Sequence, residues 1–382
     1  MNHFSLLIRF ASLLLIVYLT YGCIDTYSPP EINQANNYLV VESRLTVSPT
    51  GVIEIKLSRT QKVKQAAPTL YEQRAEVQIE SDQGRSFKFA ETQPGTYTAK
   101  AFTYVANEKF RLRIKTTGGK EYLSSYVPVI NTPAIDSVTY RLNPDRTSVQ
   151  VFVNSHDPLN KTRFYRWNFE ETWEYQAPLY SGYEIVGGRV LPRREDINTC
   201  WGTQKSAQIT LANTLRLSQD VVQDVPITTV QAISGKLARR YSILVNQYGL
   251  AREEFEYWSS LSKSTEITGS LFDAQPSQVT GNLTCLSHPN ELVFGFFSCS
   301  LPTQKRLFIT EYLGRFTIQD QLCVPLDTLS TPEVIRQSAN NSFLVLIEYP
   351  VPGSPIPFYT IGSIPCSDCR TQGGTNKRPA YW

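Results

Sequence analysis

Phe110-Arg111-Leu112-Arg113-Ile114-Lys115, followed by Gly118-Gly119 and a return through Tyr122, decides the fold class. Apolar side chains alternate with cations. This period of two places Phe110, Leu112 and Ile114 on one face of a strand and Arg111, Arg113 and Lys115 on the other. The glycine pair supplies the turn, so the segment reads as a β-hairpin with one buried face. The same period recurs towards the N-terminus, where Ile53, Ile55 and Leu57 oppose Glu54, Lys56 and Ser58, and Ala75, Val77 and Ile79 oppose Glu76, Gln78 and Glu80. Pro94-Gly95 marks a further turn before Tyr97. Such alternation belongs to half-buried antiparallel strands. Its density over residues 38–130 predicts an immunoglobulin-like β-sandwich.

Towards the C-terminus the chain pauses between Pro128 and Pro133, and a boundary is expected near residue 130. Residues 131–382 read as a larger, sandwich-like β domain. Val149, Val151 and Val153 alternate cleanly, and Tyr165, Trp167, Phe169, Trp173 and Tyr175 then share one face of a long strand. Aromatics favour strands and bury much area, so core packing explains this row more readily than an exposed ligand platform does. Residues 180–222 are rich in Gly, Arg and Asn and read as a long irregular insertion. Phe255, Trp258 and Leu261 recur at helical spacing and predict a helix over 251–263. Glu253, Glu254 and Glu256 crowd its first turns, where the helix dipole favours negative charge. Strand patterns then resume and end in a Cys-rich tail.

The first residues carry a different signal. Arg9 precedes an apolar run from Phe10 to Gly22, shorter than the roughly 20 residues a membrane-spanning helix needs, and the run ends in a small residue. Leu19-Thr20-Tyr21-Gly22-Cys23 resembles a bacterial lipobox. Residues 1–22 are therefore expected to be a signal peptide, Cys23 to carry lipid, and residues 23–37, with Pro29 and Pro30, to form an extended tether.

A net charge of +3 on 382 residues, with cations scattered among anions, argues against a nucleic-acid partner. Beyond Cys23 lie Cys200, Cys285, Cys299, Cys323, Cys366 and Cys369. An even set in an exported chain suits disulfides, although six cysteines allow 15 pairings. Cys366-Ser367-Asp368-Cys369 also has the spacing of a redox or zinc pair. Pro365 before it and Gly373-Gly374 after it do not suit a redox helix start, and no second such pair exists for zinc. His156 and His288 sit beside turn prolines, and the hydrolase and metalloprotease motifs are absent. Glu170-Glu171 and Glu253-Glu254 read as diverging or solvent-facing pairs. The sequence thus offers no catalytic constellation, no metal site and no cofactor.

The tail Cys366-Ser367-Asp368-Cys369-Arg370, then Gly373-Gly374-Thr375-Asn376-Lys377-Arg378-Pro379 and a final Trp382, resembles the closing signature of a Bacteroidota lipoprotein family, domain of unknown function 4249. Gln247-Tyr248-Gly249-Leu250 leading into Phe255-Glu256-Tyr257-Trp258 is similar to internal family segments, as is Phe272-Asp273-Ala274-Gln275-Pro276-Ser277-Gln278-Val279 with Gly281-Asn282. The resemblance implies a lipid-anchored outer-membrane protein, facing the periplasm or the cell surface, commonly associated with a TonB-dependent receptor. The expected role is a non-enzymatic accessory that binds the receptor and a periplasmic or extracellular ligand in nutrient uptake. The alternatives are an envelope glycan or peptide hydrolase, with carboxylates drawn from distant strands, and a structural or adhesion module. Asp136-Ser137-Val138 and Asp327-Thr328-Leu329 match the Asp-Ser/Thr-apolar tripeptide glycosylated in exported Bacteroidota proteins, making Ser137 and Thr328 candidate acceptors.

Overall fold

The computed structural model describes residues 37–46, 52–61, 68–266, 279–313, 322–338 and 342–382. Apart from Asn37 and Gln61, these all belong to one compact unit, Tyr38–Thr60 with Pro68–Trp382. The signal segment, Cys23 and nearly all of the tether lie outside the described residues, as does most of the Phe272-to-Val279 motif.

The chain is predominantly β, in several sheets with a few short helices. Nine strands come first: β1 (Leu39–Thr46), β2 (Val52–Arg59), β3 (Leu70–Tyr71), β4 (Glu76–Ser81), β5 (Ser86–Gln93), β6 (Thr96–Lys100), β7 (Lys109–Lys115), β8 (Glu121–Ser124) and β9 (Val127–Asn131). The opening hairpin is β7 with β8, Arg113 lying opposite Leu123. Pairings run from β1 through β2, β6, β5, β4 and β7 to β9, and β9 returns to β1 through the late strand Ser298–Leu301, which lies parallel to both. The path therefore closes into a ring. Closure pairs both edges of the strands in the ring and gives their apolar faces a common interior. Ile55, Leu57, Ile79, Phe110, Leu112, Ile114 and Tyr122 are all buried in its interior.

The chain leaves the ring after β9 and comes back with residues 283–301. Leu283–Cys285 adds to β8, and Val293–Phe294 lies parallel to β1. Two glycines make this return possible. A Cβ on Gly281 would collide with the carbonyl of Gly295, and one on Gly295, at φ +116°, with the carbonyl of Val41. Only glycine allows backbones so close.

Between these passes the chain builds a second layered body. Strands β10 (Ile135–Leu142) and β11 (Ser148–His156) pair with Val221–Gln231 in one sheet. The long β12 (Phe164–Gln176) is central to another, flanked by Tyr241–Gly249, Thr199–Lys205 and Thr210–Asn213, with Thr303–Ile309 at its edge. The two sheets share one core, in which Val149, Val151 and Val153 meet Tyr165, Trp167, Ile243 and Val245. The aromatic row on β12 is core: Tyr165 and Trp167 are fully buried, and Phe169 and Trp173 pack against them.

A third, smaller sheet joins Asp327–Ser330, Phe358–Ser363 and Phe343–Tyr349. It packs with the hairpin Tyr183–Val186/Arg189–Pro192 and the helix Thr331–Ser338 around a small core that includes Tyr359 and Val334. Residues 180–222 are consequently not irregular. They contain that hairpin and the strands Thr199–Lys205 and Thr210–Asn213, elements too short, and too lacking in clean alternation, to register as strands in the sequence.

Candidate functional site

Helix α1 (Arg252–Glu266) is the longest helix among the described residues, and its two faces differ sharply. Phe255 packs on Phe164, and the Arg166 guanidinium lies 3.7 Å from the centre of the Trp258 ring. Glu254 also points inward at 3% exposure, where it accepts from Ser298 Oγ at 2.9 Å and from the Trp258 indole at 3.2 Å. This corrects its reading as a solvent-facing charge: the carboxylate ties the helix to the returning ring strand. The same correction applies to Glu171, 6% exposed and held by Lys236 and the Tyr241 hydroxyl. Burying the Tyr241 phenol raises its pKa, and the neighbouring carboxylate adds to the effect.

The outward face of α1 carries Glu253, Glu256, Tyr257 and Ser260 at i, i+3, i+4 and i+7, so they line up along one stripe. With Thr280, Gly281, Asn282 and Phe296 they line a cleft of about 370 Å³. Tyr257 and Phe296 meet at 5.4 Å between ring centres. The cleft thus presents two exposed carboxylates, several hydroxyls and an aromatic wall.

A second cluster sits where the chain re-enters the ring. Cys285 ends the strand paired to β8, opposite Tyr122. His288-Pro289-Asn290-Glu291 then turns back on itself, Glu291 N donating to His288 O at 2.8 Å, with proline and asparagine in the central turn positions. The turn brings Cys285 Sγ, a His288 ring nitrogen and a Glu291 oxygen within 4.8 Å of one another. Around them Lys120 Nζ donates to Glu291 Oε2 at 2.5 Å and the Tyr122 hydroxyl to Oε1 at 2.6 Å. Arg59, 3.8 Å from Glu291, is itself bound to Glu72 at 2.6 Å. Burial pushes the Glu291 pKa up, but the bonds from Lys120 and Tyr122 outweigh it and hold the group below the usual carboxylate range. In the sequence His288 reads only as a turn residue; the Cys-x-x-His-x-x-Glu spacing is the signal that marks this cluster.

Of the six downstream cysteines, Cys200 is bonded to Cys369 and Cys323 to Cys366. The two cysteines of the C-terminal pair therefore take different distant partners, which leaves neither a thiolate for zinc nor a vicinal redox couple. Cys285 and Cys299 depart from the disulfide expectation: both are free thiols buried in the ring core, where they pack as small apolar side chains. Burial raises the Cys299 thiol pKa. Ser137 and Thr328 are half-buried strand residues; Ser137 Oγ accepts from Asn154, and Thr328 lies opposite Thr360. His156 is an exposed residue paired with Asp136, whose hydrogen bond raises the imidazole pKa.

The segments that resemble the family serve the fold. Gln247, fully buried, donates to Pro133 O and Ser155 Oγ and accepts from the Trp167 indole. Asn282 both donates to Phe297 O and accepts from Phe297 N, taking the place of a neighbouring strand. At the C-terminus Thr375 pairs with Trp201, a Cβ on Gly374 would collide with the Tyr175 hydroxyl, and Trp382 bonds Glu174 and packs on Phe308. The tail thus clasps the sheet built on β12.

The chain belongs to the family described as Domain of unknown function (DUF4249), whose model matches residues 24–306. No curated protein matches it. Among solved structures it is similar to the Yersinia pseudotuberculosis adhesin InvE, at 12% identity over 55% of this chain and 55% of that one, with a TM-score of 0.17. It is also similar to the BSP domain of a biofilm associated protein, at 9% identity over 72% of this chain and 59% of that one, with a TM-score of 0.17. The chain spans less than two thirds of either structure. No helix among the described residues is long and apolar enough to cross a membrane.

Proposed function

We propose, from the premise of that family membership, that this protein is a non-enzymatic outer-membrane lipoprotein, anchored through Cys23, that serves a TonB-dependent receptor as an accessory or ligand-binding partner in nutrient uptake. The observation that carries the reading is the pair of disulfides, Cys200–Cys369 and Cys323–Cys366. Such bridges persist in oxidising compartments and are reduced in a cytosol. They support export, which the lipobox requires. In this reading residues 38–130 are an immunoglobulin-like module completed by the returning strands, and the cleft beside α1 is the ligand face. Tyr257 and Phe296 there offer apolar contact, while Glu253, Glu256 and Ser260 offer hydrogen bonds to a glycan or peptide.

The test is affinity purification of the tagged full chain from its native outer membrane under mild detergent, followed by mass spectrometry. Stoichiometric recovery of a TonB-dependent receptor is the expected result. Repeated recovery of the lipoprotein alone contradicts the accessory role and favours an independent enzyme or an envelope module.

A further inference from the structure

We infer that Cys285, His288 and Glu291 form a binding site for a divalent transition-metal cation of zinc type, at the corner where the late strands re-enter the ring. The three residues supply the donors such an ion takes together: a thiolate sulfur, an imidazole nitrogen and a carboxylate oxygen. Their ligand atoms already lie within 4.8 Å of one another. A tetrahedral zinc centre needs them roughly 3.5 Å apart. Closing that gap asks for small side-chain rotations, and two of the three side chains belong to a turn whose ends are already tied by a backbone bond.

The placement suits entry and retention. Cys285 is 1% exposed and His288 is exposed, so the thiolate forms the floor and the imidazole the mouth. The surrounding bonds fix the frame: Leu286 N donates to Glu121 O at 2.7 Å, and Glu121 N to Ser287 Oγ at 2.9 Å, locking the Cys285-to-His288 segment to β8. The Tyr122 hydroxyl orients the Glu291 carboxylate as an outer-shell partner does in metal sites. Two cations oppose the ion. Arg59 is already compensated by Glu72. Lys120, with 38% of its side chain exposed, can leave Glu291 for solvent when the metal arrives. On binding, the Cys285 thiol loses its proton to solvent, the sulfur, imidazole nitrogen and carboxylate oxygen coordinate the metal, and water completes the shell.

The test is a titration of the full chain in detergent with cobalt(II) alone, followed by displacement with zinc(II). The expected result is a thiolate-to-cobalt charge-transfer absorption that saturates at one equivalent, releases protons and disappears on adding zinc. Cys285→Ser abolishes the band and Cys299→Ser leaves it intact. His288→Ala, a surface change that leaves the core untouched, weakens binding by roughly tenfold or more. Lys120→Ala tightens it about threefold by removing a competing charge, an effect that a merely structural ion-pair corner does not produce. Absence of the band in folded protein, its survival in Cys285→Ser, or unchanged affinity in His288→Ala overturns the site.

Discussion

The ring and the C-terminal module solve the same problem by different means. The ring buries a large contiguous core, closes its own strand edges, and keeps Cys285 and Cys299 as thiols. The C-terminal module, formed by the third sheet with its hairpin and the tail, has a small core around Tyr359 and Val334; Cys323–Cys366 lies within it, and Cys200–Cys369 ties its tail to the β12 sheet beside a smaller cluster with Ala177. A large core stabilises through burial, at about 1.5–3 kcal/mol for each fully buried large side chain. A small core gains too little from burial, and cross-links that restrict the unfolded chain make up the deficit. The bonded cysteines thus accompany the small cores and the free ones lie in the large core.

The strongest way to break this contrast is to remove the bridges. Cys200→Ser with Cys369→Ser opens a loop spanning 169 residues and, by loop entropy, costs up to about 5 kcal/mol. Removing Cys323–Cys366, which spans 43 residues, costs up to about 4 kcal/mol. Hydrogen exchange is expected to show lost protection in Phe343–Tyr349 and Phe358–Ser363, with β4 and β7 unchanged. Equal loss in the ring would erase the distinction.

Phe110→Ala probes the opposite side, leaving a cavity in the ring core at a cost of about 3–5 kcal/mol. That loss, measured by denaturant unfolding, is expected to be the same with and without reductant.

Acid sharpens the comparison further. Glu80, Glu108 and Glu291 are each pushed up by burial, but bonds from Arg113 and Arg111, from Arg85 and Ser81, and from Lys120 and Tyr122 respectively hold them below the ordinary 4.5. Groups with depressed folded pKa contribute stability that is complete above the unfolded value and is lost as pH falls through the folded one. Ring stability is therefore expected to be flat above about pH 5 and to fall below about 4.5, while the covalent bridges are untouched. Tyrosine fluorescence and exchange protection across that range provide the check. A ring that loosens between pH 6 and 8 would contradict the assignment.

The smallest effect concerns the tail. The Tyr381 and Thr172 hydroxyls lie 2.9 Å apart, and the Arg306 guanidinium sits 3.5 Å from the centre of the Tyr381 ring. Tyr381→Phe keeps the ring contact and removes one hydrogen bond, for an expected loss of about 1 kcal/mol in thermal or denaturant unfolding.

How much of this the sequence carries depends on the range of the interaction. Period-two runs such as Ile53-Ile55-Leu57 announce their strands and their buried faces because both properties are local. The β12 aromatics and α1 are legible for the same reason. The return of residues 283–301 is not: three-residue strands such as Leu283–Cys285 have no period of their own, and their pairing depends on contacts more than 150 residues away. Glu171 and Glu254 misled because a carboxylate carries no local sign of burial when its partners, Lys236 and Ser298, lie far along the chain. The metal-type cluster had a local spacing, but its meaning came only with the turn that closes Glu291 onto His288.

Disulfide mapping tests the central contrast most directly. The full chain is isolated from its native cells, its free thiols are alkylated under denaturing, non-reducing conditions, and its peptides are identified by mass spectrometry. The account predicts linked peptides for Cys200–Cys369 and Cys323–Cys366, with Cys285 and Cys299 alkylated. A Cys285–Cys299 cross-link, or reduced cysteines in the C-terminal module, would contradict it.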